Sequence, residues 1–345
     1  MTNLDQILKN ISEKAEKIGR PIRLMELCGT HSETIARYDL KNFLPSNIFL
    51  VTGPGCPICV TDQTEADVIV GLALAGVSIA VYGDALNLPG NLGSLEEVRQ
   101  KGADVNVVYD VTDALRLSQK KGGLVFWGIG FETTTPATAW GIKQGLTVFS
   151  SHKVFVPAMK ALLKNKKIRI DGFINPGHVS AIIGTEIYEK FLFPQVVAGF
   201  EIDDVLLAID MLLNQIISQK PCVKNEYTRL VKKKGNKRAL KIMEDVFEVR
   251  NGFWRGLGEI KNSGLKIRKK YQLQDAEFIY KDLILKIKKN ITIKPSTCRC
   301  GEVLQGMIEP KECPLFGKIC FPDNPQGACM VSREGSCNIE YRADR

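Results

Sequence analysis

Short apolar runs alternate with helical segments from residue 22 to about 220, and each run hands over to a loop rich in Gly, Thr or Pro. IRLMEL (22–27) precedes CGTHSETIARYDL, NIFLVTG (47–53) precedes PGCPICVTD and the apolar helix ADVIVGLALAG, and VSIAVYGD (77–84) follows. GLVFWGIG (123–130) precedes FETTTPATAWGI, DGFINPG (171–177) precedes HVSAIIGTEIYEKF, and QVVAGF (195–200) precedes DDVLLAIDMLLNQI. Near-continuous apolar strands are what a parallel sheet covered on both faces requires. The pattern predicts an α/β architecture.

The pattern also repeats internally. LVTGPGCP (50–57) aligns with FINPGHVS (173–180), and MELCGTHSETIA (25–36) aligns with WGIGFETTTPAT (127–138). This predicts two similar Rossmann-like lobes with parallel sheets around a central cleft, at 21–120 and 121–222. Loops that follow the carboxyl ends of strands line the binding crevice in such sheets. Those loops carry Cys28, His31, Cys56, Cys59, Glu132 and His178. After Pro221 the chain turns basic, with helix-like stretches at 238–249 and 278–289, so residues 1–20 and 223–345 are expected to form a third, helical domain. Its cysteine-rich segment, 295–337, has too little apolar periodicity to order itself without a metal.

Charge changes this picture little. The net charge is +9, and residues 224–294 hold 20 Lys/Arg against 8 Asp/Glu, a local +12 that leaves −3 elsewhere. A field of that sign steers acidic partners or nucleic acid. The stretch lacks interleaved aromatics and any nucleic-acid module, so solvated faces explain it better. The polar opening and the absence of a long apolar run point to a cytoplasmic protein with no membrane segment.

Ten cysteines in a reducing compartment suggest metal or thiol chemistry rather than structural disulfides. Six of them, Cys298, Cys300, Cys313, Cys320, Cys329 and Cys337, fall in the tail. The wide gaps and the absence of paired C-x-x-C knuckles there favour an iron–sulfur cluster over zinc. A cluster of four thiolates leaves two cysteines over, and Cys298 and Cys300 are too close in sequence for both to be ligands. Two spare thiols beside a cluster would make a dithiol/disulfide couple.

In the lobes, Cys28 stands where a strand meets a helix, a position that favours an anion, with His31 three residues on. Cys56 and Cys59 read as a low-potential dithiol, as two soft-metal ligands, or as a packed turn. Glu132 and His178 are candidates for polar roles in the crevice, whereas His152 and Cys222 read as structural.

Together, MELCGTHSETIARY, GPGCPICVT, GFETTTP, NPGHVSAIIG and CRCGEVLQG…PKECPLFGKICFPDNPQGACMVSREGSC closely resemble the HypD family of [NiFe]-hydrogenase maturation proteins, over about residues 22–337. The resemblance implies a scaffold, not a metabolic enzyme, on which an Fe(CN)₂CO unit is assembled for the hydrogenase large subunit. It implies that Cys28 holds this iron together with a HypC-type chaperone, that His31 supports it, and that Cys56 and Cys59 lie nearby as a dithiol pair. It further implies a [4Fe-4S] cluster on Cys298, Cys313, Cys320 and Cys337, with Cys300 and Cys329 as the redox pair, and a HypE-type cyanide donor. The competing reading is a free-standing Fe–S disulfide reductase similar to ferredoxin–thioredoxin reductase.

Overall fold

The computed structural model describes residues 3–293 and 295–344; Lys294, the last residue of the basic stretch, lies outside the described residues, as do residues 1, 2 and 345. Strands β1 (Ile22–Glu26) and β2 (Ile48–Thr52) are followed by β3 (Ile79–Tyr82), β4 (Val105–Val108), β5 (Val125–Gly128) and β6 (Thr147–Ser150). Then come β7 (Gly172–Pro176), β8 (Gln195–Ala198) and β9 (Val223–Asn225), and a hairpin of β10 (Phe247–Trp254) and β11 (Gly258–Ile267).

Among the described residues these strands make two parallel sheets, ordered β2-β1-β7-β8-β9 and β4-β3-β5-β6, plus the antiparallel hairpin. Central strands β5 and β8 are buried along their whole length, which explains why their sequences are apolar without alternation. The α/β architecture with two lobes is therefore as expected.

The division of the chain between the lobes differs from the expected split at residue 120. Strand β7 pairs with β1, Phe173 beside Met25, while β2 pairs on the other side of β1. Lobe one is thus built from residues 22–52 and 172–225, and lobe two, β3 to β6, is inserted between them. Hydrophobic periodicity marks each strand but carries no information on which strand it pairs with, so a repeat read along the chain misassigned the halves.

The N-terminal segment also moves from its expected place. Helix Asn3–Ile18 packs on helix Ile202–Ser218, burying Ile7, Ile11 and Ala15 in one cluster with Leu24, Ile174 and Leu206. Lys14 pairs with Asp210 at 2.6 Å. Residues 3–18 therefore complete lobe one rather than a third domain.

The region after β9 wraps lobe two. Helix Lys237–Val246 packs on helix Thr135–Lys143, and helix Lys281–Asn290 packs on helix Gln63–Leu74. Trp254, Ile260 and Ile284 enter the same core as Val81, Val125 and Trp127 of lobe two. The helix expected over 238–249 ends at Val246, and β10 begins at once. The C-terminal tail is helical in short pieces and returns to lobe one, with Ser336–Ala343 against helix Gly29–Arg37 and Ala328–Val331 against Pro57–Val60. Among the described residues no helix is long and apolar enough to cross a membrane.

Candidate functional site

Each parallel sheet has a point where the strand order reverses, and the loops there diverge to leave a crevice. In lobe one that point lies between β1 and β7, so the loops at Cys28 and His178 are neighbours. In lobe two it lies between β3 and β5, next to Asp84 and Glu132. Groups at the two crevices come within electrostatic reach of one another. The phenol of Tyr188 feels both Glu132 and Cys28, and Glu334 of the tail feels Asp84 from lobe two and Glu33 from lobe one.

Cys28 caps helix Gly29–Arg37 from an extended backbone conformation. A helix N-terminus favours a thiolate, yet burial, and then the negative charges of Glu334 and Glu26, push the thiol up to about 12. At neutral pH Cys28 is therefore a protonated thiol. Glu26 accepts the Cys28 N–H at 2.9 Å and the Ser32 hydroxyl. Its carboxyl, wholly buried, is raised to about 7 by desolvation. Close approach of two loops holds the cysteine. A methyl group at Gly29 would fall 2.5 Å from the Cβ of Glu334, and one at Gly55 would fall 2.5 Å from the Cys28 nitrogen.

The Gly55 contact seats the loop of Cys56 and Cys59 on the Leu27–Cys28 backbone. Both cysteines are buried, and they are joined as a disulfide across a Cα separation of 5.2 Å. The helix that carries Cys329 packs on the helix that carries Cys59.

His31 is fully buried, and Nε2 donates to the Gly199 carbonyl at 2.8 Å. A carbonyl only accepts, so Nε2 carries the proton. Nδ1 is then a lone pair with no hydrogen-bond partner among the described residues. Desolvation lowers this imidazole to about 4, so it is neutral. The Gly199 N–H, in the preceding peptide unit, donates to Glu226 at 3.0 Å. Phe200 links the two histidines, with its ring 5.0 Å from His31 and 4.0 Å from the exposed His178.

Glu132 accepts the Phe155 N–H at 3.0 Å, and burial raises its carboxyl to about 7. Tyr188 of lobe one comes within electrostatic reach of it and is hydrogen-bonded to the Ser180 hydroxyl at 2.9 Å. His152, expected to be structural, is buried with its two ring nitrogens 3.1 Å from the hydroxyls of Thr138 and Ser150.

The six tail cysteines line one small cavity together with Phe316 and Met330. The sulfurs of Cys300 and Cys329 stand 3.0 Å apart. Hydrogen bonds from Cys298 and Cys329 hold Cys300 well below the ordinary thiol range, and the same bond holds Cys329 well above it. Among the described residues no group of three or more Cys, His, Asp or Glu is already drawn into a metal-binding geometry. Soft sulfur donors around a common cavity nonetheless suit a [4Fe-4S] cluster, which takes four of them.

Sequence reasoning missed Glu26, Tyr188, Gly199, Glu226 and Glu334. Only Glu26 left a signal, a lone carboxylate within the apolar run IRLMEL.

A family model described as "HypD: Hydrogenase formation hypA family" matches residues 2–344. The chain is 44% identical over 340 residues to hydrogenase maturation factor HypD1 of Bradyrhizobium diazoefficiens, covering 92% of this chain and 88% of that protein. It is 42% identical to HypD2 of the same organism over 348 residues, with 94% and 90% covered. With hydrogenase maturation factor HypD of Escherichia coli it shares 39% identity over 356 residues, with 98% and 94% covered.

Proposed function

This chain belongs to the HypD family of hydrogenase maturation factors, and on that premise we propose that its interlobe cleft is the assembly site of an Fe(CN)₂CO unit held by Cys28. The observation that carries the reading is the setting of Cys28, a buried thiol at a sheet switch point, ringed by Glu26 and Glu334. Burial first, and then these carboxyl groups, oppose a bare thiolate, so loading with Fe(II) replaces the thiol proton by the metal and becomes stronger as pH rises. The iron is cargo here, handed on with a HypC-type chaperone after a HypE-type partner supplies cyanide.

His31 supports this cargo as a neutral imidazole. Its Nδ1 lone pair accepts a hydrogen bond or a proton within the cleft, while Gly199 holds the ring. The Cys56–Cys59 pair, seated on the Cys28 backbone, exchanges between disulfide and dithiol and so supplies or removes two electrons beside the cargo. Cys298, Cys313, Cys320 and Cys337 would hold a [4Fe-4S] cluster, which when bound supplies electrons singly. Cys300 and Cys329, already paired sulfur to sulfur, remain free to form a disulfide. The alternative of a free-standing disulfide reductase accounts for the tail and for Cys56–Cys59, and leaves the acidic setting of Cys28 without a task.

Anaerobically purified protein is expected to carry about four irons and about four acid-labile sulfides. Cys313→Ala should lose them and Cys300→Ser should keep them, as read by metal and sulfide analysis. Zinc in place of iron, or loss of iron in Cys300→Ser with Cys313→Ala unaffected, contradicts the ligand assignment.

A further inference from the structure

A surface cleft of about 830 Å³ opens between lobe two, the turn of the β10–β11 hairpin, and the tail. Its wall includes Cys298, Cys300 and Gly327, which also line the small cavity of the six tail cysteines. A side chain at Gly327 would collide with the Cys298 sulfur, so glycine keeps this partition one layer thick. Cys329 lines the inner cavity, 3.0 Å behind Cys300. The arrangement has a direction: outer cleft, Cys300, Cys329, then the helix that bears Cys59.

The volume is that of a small-molecule site. Cys300 is only 5% exposed, so the flat face of a folded protein could not reach its sulfur. The lining carries both signs of charge. Arg255 is anchored through the carbonyls of Thr61 and Pro89, with its guanidinium on the cleft wall, and Arg299, held by Glu302 on the same wall, lies beside the entrance cysteines. Glu96 and Glu97 face them from lobe two.

The geometry points to this cleft as the entry site of a low-molecular-weight peptidic thiol, bearing carboxylates and an ammonium, that reduces a Cys300–Cys329 disulfide. The inference rests on the reading of these two cysteines as a redox pair. A thiolate of the incoming molecule attacks the Cys300 sulfur, a new S–S bond forms to it, and Cys329 leaves as a thiolate that takes up a proton. A second thiolate attacks the sulfur of the bound molecule, the low-molecular-weight disulfide departs, and Cys300 is released as a thiolate. Two thiols are oxidised and one disulfide is reduced.

Glutathione serves as the probe, with 2-mercaptoethanol as its uncharged counterpart. In full-length Cys329→Ser protein, oxidised glutathione is expected to place a mixed disulfide on Cys300, mapped by peptide mass spectrometry. It should form about tenfold faster than with 2-hydroxyethyl disulfide, and Arg299→Glu should slow only the glutathione reaction, by about fivefold. In oxidised wild-type protein, reduced glutathione should free Cys300 and Cys329 together, scored by alkylation. Adducts that fall on Cys222 or Cys298 instead of Cys300, equal rates with the two disulfides, or indifference to Arg299→Glu would each overturn the proposal. Iron and sulfide counts on the same samples keep the outcomes apart: missing iron speaks against the cluster assignment, and a missing Cys300 adduct at full iron content speaks against the entry site.

Discussion

Glu132 is 3% exposed, with one carboxylate oxygen on the Phe155 N–H and the other without a hydrogen-bond partner among the described residues. Burial raises its carboxyl from 4.5 to about 7 in the fold. Between those values the unfolded chain has released the proton that the folded chain keeps, so this residue costs stability as pH rises from about 4.5 to 7. Glu132→Gln preserves the acceptor for Phe155 and removes that cost. Its stability relative to wild type should improve by about 3 kcal/mol between pH 4.5 and pH 7.5, measured by urea titration at each pH. A difference that does not vary with pH would show the carboxyl to be ionised throughout. At this scale the nucleophiles were legible because Cys and His are rare and stand at strand ends. Their regulators were not, because Glu334 reaches Cys28 through a fold-back of about 300 residues that no local pattern encodes.

The helix Asn3–Ile18 shows what periodicity can and cannot decide. Its spacing of Ile7, Ile11 and Ala15 announces one apolar face, but only the fold reveals that the face belongs to helix Ile202–Ser218. Ile11 is fully buried there, so Ile11→Ala should cost about 2–4 kcal/mol. Hydrogen exchange should speed up in Ile202–Ser218 and leave β10 and β11 unchanged; acceleration confined to residues 223–293 would restore the third-domain assignment. Strand–helix alternation made the parallel sheets legible, since doubly buried strands need unbroken apolar runs. The hairpin was hidden because Phe247–Trp254 follows directly on an amphipathic helix, with no turn residues to announce the change.

At the scale of the whole molecule, lobe two is inserted into lobe one, and the tail closes over both cysteine loops. The basic stretch spends part of its charge on ion pairs, Lys270 on Asp245, Arg250 on Glu277, and Arg229 on Asp204. Motifs spread over more than 300 residues made the family legible before the fold, because chemistry demands the same few residues wherever they fall in the chain. The packing of the tail helices on the helices that carry Cys59 and His31 is a property of topology alone. The central claim is that Cys28 holds an iron bearing cyanide and carbon monoxide. The anaerobic infrared spectrum of the chain co-purified with its HypC-type partner tests it most directly, since metal-bound CN and CO stretches have no counterpart in protein. Those bands should be present in the wild type and absent from Cys28→Ala with the tail iron intact; bands that persist in Cys28→Ala would contradict the account.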